Sequence, residues 1–295
     1  MTYPFVTVDV FTSKRFGGNP LAVFPDARGL SDGQMQALAA EFNLSETTFV
    51  LPPSNPAHSA RVRIFTPAYE LPFAGHPNVG TGYVLAREGR DRDNALRFEE
   101  IAGLVEVTVE RDGTGEPKGA TIQAPQPLTL GAELPPDTIA ACTGLKAADM
   151  VTAKHPPIEA SVGTPVIMAQ VAADALARAA PDLGQFRRAQ AQFPDVKGIL
   201  IYLYARDAAA GRLRARMFAP LAGIVEDPAT GGAAAPLAAL LLSLTKDDSA
   251  SYDIVQGVEM GRPSLLRTTA RRAPDGVRAT VGGDCVLVLR GEALV

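Results

Sequence analysis

Three ionisable residues stand where a proton could be moved. Glu46 precedes the β-rich run Thr47-Thr48-Phe49-Val50-Leu51, His76 lies between Gly75 and Pro77, and Asp227 precedes Pro228. A carboxyl group in an apolar pocket binds its proton more tightly and approaches neutrality, as general acid–base work at a carbon requires. His-Pro and Asp-Pro junctions suit helix starts, where proline loses no hydrogen bond and unpaired N–H groups attract an anion. Such residues would grip a small acid and shift one of its protons. Taken singly, each has a plainer explanation. Asp227 is an N-cap, His76 a core histidine bonded to a carbonyl, and Glu46 a solvated carboxylate.

An internal repeat joins them. Arg61-Val-Arg63-Ile-Phe65-Thr-Pro67 returns as Arg214-Ala-Arg216-Met-Phe218-Ala-Pro220, with Arg, Arg, Phe and Pro at identical spacing. Allowing a two-residue indel after the proline, His76-Pro-x-x-Gly80 falls on Asp227-Pro-x-x-Gly231. A duplicated unit is predicted, each half offering a polar residue at a helix start toward a shared cleft. The strand over Gly198 to Ala205 takes the place of the one opened by Glu46, but no carboxylate opens it. The halves therefore differ in chemistry.

The elements that would position these residues follow from pattern. Residues 5–11 and 21–24 read as a strand pair, and Ser31 caps a helix with Met35, Leu38, Ala39 and Phe42 on one face, ending by Asn43. Pro77 and Pro228 are expected to start helices running to Arg87 and to about Ser243, the second kinked or divided at Pro236. Residues 124–136, rich in proline, read as a connector, and Ala172 to Ala180 as a helix. Further strands are expected over 96–100, 104–109, 120–123, 252–256, 264–269, 277–281 and 285–289, with Gly282 and Gly283 as breaks.

The chain has 295 residues, a net charge of −4 and 46% hydrophobic residues, which suits two globular lobes and gives no basic face for nucleic acid. No apolar run is long enough to span a membrane, and the N-terminus lacks the basic and apolar regions of a signal peptide. Two distant cysteines, Cys142 and Cys285, build no disulfide framework and fit a cytoplasmic setting. Three scattered histidines exclude a zinc motif; His58 and His155 read as loop residues. Arg262, in Gly261-Arg262-Pro263-Ser264, is left without a role. Dinucleotide, P-loop and serine-hydrolase motifs are absent.

With these residues in hand, the chain resembles the PhzF-like (phenazine biosynthesis) isomerase family. The motifs are Val8-Asp9-Val10-Phe11, Gly18-Asn19-Pro20-Leu21, Ser45-Glu46-Thr47-Thr48-Phe49, Phe65-Thr66-Pro67, Gly75-His76-Pro77, Glu226-Asp227-Pro228-Ala229-Thr230-Gly231 and Gly261-Arg262-Pro263-Ser264. The resemblance implies an α+β, diaminopimelate epimerase-like fold: two pseudo-symmetric lobes, each a barrel-like, mostly antiparallel sheet around a central helix. The first would cover 1–125, completed by about 284–295, and the second 126–283, with the site in the cleft between them.

It also implies a homodimer that isomerises a small carboxylate without cofactor or metal. Glu46 would be the acid/base and His76 and Asp227 catalytic neighbours, with Asn19, Gly75, Gly80, Thr230, Gly231 and Gly232 binding substrate. A two-thiol racemase is disfavoured, since neither cysteine occupies a motif position. The chain departs from the usual pattern at Gly232, where the family commonly has serine. That substitution favours the alternative expectation, a non-catalytic member that binds a metabolite or a protein.

Overall fold

The structure is a computed structural model and describes residues 1–207 and 209–295. It divides into two compact units, Met1–Gln123 with Val281–Val295, and Ala124–Thr280.

The first unit contains β1 (Thr2–Val10), β2 (Asn19–Phe24), α1 (Asp32–Phe42), β3 (Glu46–Leu51), β4 (Ala60–Phe65), β5 (Glu70–Leu71), α2 (Gly75–Arg87), β6 (Ala95–Glu100), β7 (Gly103–Arg111) and β8 (Pro117–Gln123). The second contains β9 (Thr129–Glu133), α3 (Pro136–Cys142), β10 (Ile158–Ser161), β11 (Val166–Gln170), α4 (Ala173–Leu176), α5 (Leu183–Gln192), β12 (Ile201–Asp207), β13 (Arg212–Ala219), β14 (Ile224–Asp227), α6 (Gly231–Ser243), β15 (Ser249–Gln256) and β16 (Ser264–Ala273). The last strand, β17 (Gly276–Leu294), starts in the second unit and ends in the first.

In the first unit the pairings β1–β2–β3–β4–β6–β7–β8–β17 return to β1, so eight strands close a barrel. Two neighbouring pairs are parallel, β2 with β3 and β4 with β6, and a helix makes each crossover. Helix α1 carries a capping box between Ser31 and Gln34 and ends on left-handed Asn43. Its apolar face packs Met35 and Ala39 against Phe24, Phe49 and Phe65, with the Phe24 and Phe49 rings stacked at 4.9 Å. Helix α2 is different. It is buried from Gly75 through Ala86 and touches strands around the barrel, as a helix threaded through its interior must.

The second unit repeats this order. Strands β11 and β12 are parallel across α4 and α5, and β13 and β15 are parallel across α6. The remaining pairings run antiparallel through β9–β10–β11, β12–β13 and β15–β16. Helices α3, α4 and α5 cover one sheet face with Ile139, Leu176 and Phe186 against Ile201, Leu203 and Phe218. Helix α6, almost wholly buried, packs on β15, β16, β10 and β11. The fold is thus α+β, with one barrel-like sheet and one central helix per unit.

Several local expectations change. The helix over Ala172 to Ala180 is only α4, which ends at Leu176, and Ala180 N–H donates instead to Thr143 O; Asp182 then caps a separate helix, α5, by accepting from Gln185 N–H. The stretch 124–136 is not all connector, since it holds β9. Gly282 and Gly283 do not break a strand. They lie within β17 because a Cβ on Gly282 would stand 1.9 Å from Thr121 Oγ1, and one on Gly119 would stand 2.1 Å from Gly283 O.

Neither proline starts its helix. Pro77 is the third residue of α2, Pro228 lies before α6, and α6 runs undivided past Pro236. A proline in the first turn loses nothing there, since those N–H groups have no partner inside the helix.

Candidate functional site

Glu46 opens β3 beside Leu21 of β2, and its side chain is 13% exposed. His76 is the second residue of α2 and is buried to 6%. The two meet, with His76 Nε2 3.4 Å from Glu46 Oε2. Asn19, the first residue of β2, reaches the other ring nitrogen: its Nδ2 is 3.4 Å from His76 Nδ1. Ser45 Oγ donates to Asn19 Oδ1 at 3.2 Å. That bond orients the Asn19 amide with its NH2 toward the histidine, so Nδ1 accepts and the ring proton sits on Nε2, facing Glu46. Burial pushes His76 down to about 3, so the ring is neutral.

Local backbone delivers these groups. Asp9 accepts from Phe16 N–H at 2.6 Å and holds a loop whose Phe16 and Gly18 have positive φ. A Cβ on Gly18 would lie 2.3 Å from Val10 O, so glycine is needed for the chain to turn into Asn19. Thr48 on β3 and Thr81 on α2 bond through their hydroxyls at 2.9 Å, which ties the strand of Glu46 to the helix of His76. The start of α2 has no side-chain cap. Gly75 is its first residue, whereas Gly80 lies deeper, where a Cβ would stand 2.6 Å from Leu21 and 2.8 Å from Val10. Gly80 therefore serves close packing of helix on sheet.

In the second unit Asp227 ends β14 and is buried. The Thr230 hydroxyl donates to its carboxylate. Gln256, 1% exposed at the end of β15, clamps the same segment: Nε2 donates to Asp227 O at 2.8 Å and Thr230 Oγ1 at 3.0 Å, while Oε1 accepts from Thr230 N at 3.1 Å and Tyr202 OH at 2.9 Å. Thr230 is the N-cap of α6 without a side-chain cap bond, and Gly231 and Gly232 are the first two helical residues. A Cβ on Gly232 would meet nothing within 4 Å. Beneath the loop, Ser264 Oγ donates to Pro228 O at 3.1 Å and lies 3.0 Å from Arg262 O, so the Gly-Arg-Pro-Ser stretch supports the Asp-Pro turn.

The repeated arginines are structural. Arg63 forks onto Glu70 at 2.7 and 2.6 Å and lies 5.0 Å over the Phe65 ring. Arg216 forks onto Glu226 at 2.8 and 2.8 Å and lies 4.9 Å over Phe218. These forks correct the pairing of the repeats. Arg63 and Glu70 are 7 residues apart, Arg216 and Glu226 are 10, and the spacing from each glutamate to Gly75 or Gly231 is the same. His76 therefore corresponds to Gly232, and Asp227 to Leu71. The second copy thus carries extra residues between Pro220 and Glu226, around the turn Pro220–Ala222, instead of the two-residue indel that aligns His76 with Asp227.

Since Thr47 pairs with Phe65 and Ile201 with Phe218, the counterpart of Glu46 is Leu200. Sequence reasoning missed Gln256 and Tyr202, which no motif marks; the one trace is a polar residue on a buried strand position before Gly257. His155 lies outside helix and strand, yet it is buried and bonds Tyr204 OH at 2.6 Å. No group of three or more potential metal ligands occurs among the described residues.

The profile of the phenazine biosynthesis-like protein family, PhzC-PhzF, matches residues 8–291. A trans-2,3-dihydro-3-hydroxyanthranilate isomerase from Pseudomonas aeruginosa is 39% identical, covering 98% of each chain. Among solved structures, a PhzF-family phenazine biosynthesis protein from Bacillus anthracis matches with a TM-score of 0.88 at 25% identity, covering 100% of both chains. A predicted epimerase from Pseudomonas aeruginosa matches with a TM-score of 0.79 at 33% identity over 99% of each.

Proposed function

Because this chain belongs to the phenazine biosynthesis-like protein family and is an isomerase, we propose that Glu46 is its general acid and base. The Glu46 carboxylate takes a proton from an activated carbon of a small carboxylic acid; the electron pair left behind shifts into the adjacent unsaturated system. Glu46 then returns the proton to another carbon, so substrate and product have one composition and no cofactor is consumed.

The observation that carries this reading is the Glu46–His76 contact, 3.4 Å long and largely shielded from water. A neutral His76 holds its Nε2 3.4 Å from Glu46 Oε2, without a hydrogen bond between them in this structure, and is assigned to orienting the carboxylate. Protonating substrate is not its task, since its conjugate acid is suppressed. The uncapped start of α2, at Gly75, is assigned to the substrate's carboxylate. In the second unit, Asp227, held by Thr230 and Gln256, and the uncapped start of α6 at Thr230, Gly231 and Gly232 are assigned to binding polar groups of a ligand. Asn19 acts through the histidine, and Gly80 through packing.

The substrate class we infer is a hydroxylated, partly unsaturated ring acid of the kind named for the Pseudomonas aeruginosa relative. A cytoplasmic homodimer is part of the proposal; sedimentation at micromolar concentration should give twice the mass of one chain. No helix among the described residues is long and apolar enough to cross a membrane. Incubation with trans-2,3-dihydro-3-hydroxyanthranilate and other small cyclic acids in D2O tests the chemistry. An isomerase should return product carrying solvent deuterium. A protein that only binds returns every acid unchanged and unlabelled.

A further inference from the structure

Tyr202, on β12, is fully buried, and no step of the proposed chemistry uses it. Register brings it near Asp227: Tyr202 pairs with Met217 of β13, and Met217 with Asp227. Gln256 pairs with Ala215, two residues along β13, so by strand alternation Tyr202 and Gln256 stand on one face of the sheet. Ile201 and Leu203 take the other face, under α3, α4 and α5.

A side-chain amide can be placed two ways round, and here the backbone decides. The Asp227 carbonyl only accepts and the Thr230 N–H only donates, so Gln256 Nε2 belongs at the first, 2.8 Å away, and Oε1 at the second, at 3.1 Å. The remaining amide proton goes to Thr230 Oγ1 at 3.0 Å, and the remaining lone pair of Oε1 takes the Tyr202 O–H at 2.9 Å. The amide has no place left over. Thr230 Oγ1, already accepting, gives its single proton to Asp227 Oδ2. The donors therefore run one way, from Tyr202 through Gln256 and Thr230 to Asp227, and each bond in such a chain strengthens the next.

The charged neighbours leave this order intact. Glu226 is turned to the Arg216 fork, and the other bonds of Arg216 go to the Leu176 and Ala179 carbonyls. Burial, with the Asp227 charge behind it, pushes the Tyr202 hydroxyl up, so the phenol keeps the proton that it donates. We propose that Tyr202 and Gln256 are positioning residues that aim the Thr230 hydroxyl at Asp227, holding it as an oriented carboxylate that accepts from an O–H or N–H group of the ligand.

The inference rests on the assignment of Asp227 to ligand binding, and its first test needs no ligand. With 13C-labelled aspartate, the Asp227 carboxyl carbon is assigned by Asp227→Asn and followed from about pH 3 to about pH 8. It should be a carboxylate at neutrality. In Thr230→Val, which removes the donor, its midpoint should rise by about 1–2 units, and Thr230→Ser should restore the wild-type value. Tyr202→Phe loses only the hydroxyl at the far end of the chain and should raise the midpoint by about 0.2–0.5 unit. Added to Gln256→Leu, it should change nothing further. A neutral Asp227 at neutrality, a Thr230→Ser midpoint equal to that of Thr230→Val, or a Tyr202→Phe midpoint equal to that of the wild type overturns the proposal. If the midpoints move as expected while Asp227→Asn turns over trans-2,3-dihydro-3-hydroxyanthranilate at the wild-type rate, the chain of hydrogen bonds stands and the placing of Asp227 in the site falls.

Discussion

A histidine sealed in apolar surroundings stays neutral, and that decides what His76 does beside Glu46. Its folded value of about 3 lies below the ordinary ~6.5, so the unfolded chain takes up the proton first as pH falls. The stability from burying neutral His76 is fully present above ~6.5 and is lost as pH falls toward 3. Urea midpoints should therefore show the wild-type protein losing ground to His76→Gln on acidification through that window. Glu100 has the opposite sign. Raised to about 8, it contributes stability below ~4.3 that is lost as pH rises through 8, so Glu100→Gln should gain on the wild type across that range. At Gln256 the expectation concerns rate: Gln256→Leu leaves Thr230 N–H and the Tyr202 hydroxyl without their acceptor, and should lower kcat more than it raises KM. Glu46 and His76 were legible because their neighbours form motifs. Gln256 was not, since its role depends on four hydrogen bonds to Tyr202, Asp227 and Thr230, brought together only by the folded chain.

Helix starts and helix interiors place different demands on small residues. Gly75, Gly231 and Gly232 belong to the starts, where a Cβ on Gly232 would find open space. Gly80 belongs to the interior, so Gly80→Ala must displace Leu21 or Val10 and should cost about 1–3 kcal/mol in urea unfolding. Gly232→Ala should cost little in the same measurement. The buried Arg216 fork bonds Glu226 and the Leu176 and Ala179 carbonyls, and Arg216→Met should cost about 3–5 kcal/mol by stranding Glu226. The existence and order of these elements were readable from apolar periodicity and turn residues. Their boundaries were not: proline is tolerated anywhere in a first turn, so His-Pro and Asp-Pro looked equivalent although His76 corresponds to Gly232. An indel hidden in the turn at Pro220–Ala222 produced that error.

At the scale of the molecule, one architecture occurs twice with different contents. Each unit uses two helical crossovers between parallel strand neighbours and keeps an Arg–Glu fork beneath the start of its central helix. The chemistry has diverged. Leu200 stands where the first unit has Glu46, and Gly232 where it has His76. The repeat thus announced the fold plainly, because packing constraints act on both copies alike. It announced the proposed reaction poorly, because the proton transfer assigned to Glu46 needs only one carboxylate. The most direct test of that asymmetry is turnover of trans-2,3-dihydro-3-hydroxyanthranilate by wild-type and Glu46→Gln proteins, followed by proton NMR in D2O. Wild type should form deuterium-labelled isomer, and the variant should be slower by about 10²- to 10⁴-fold while unfolding at the same urea concentration. Turnover by Glu46→Gln at the wild-type rate would contradict the account.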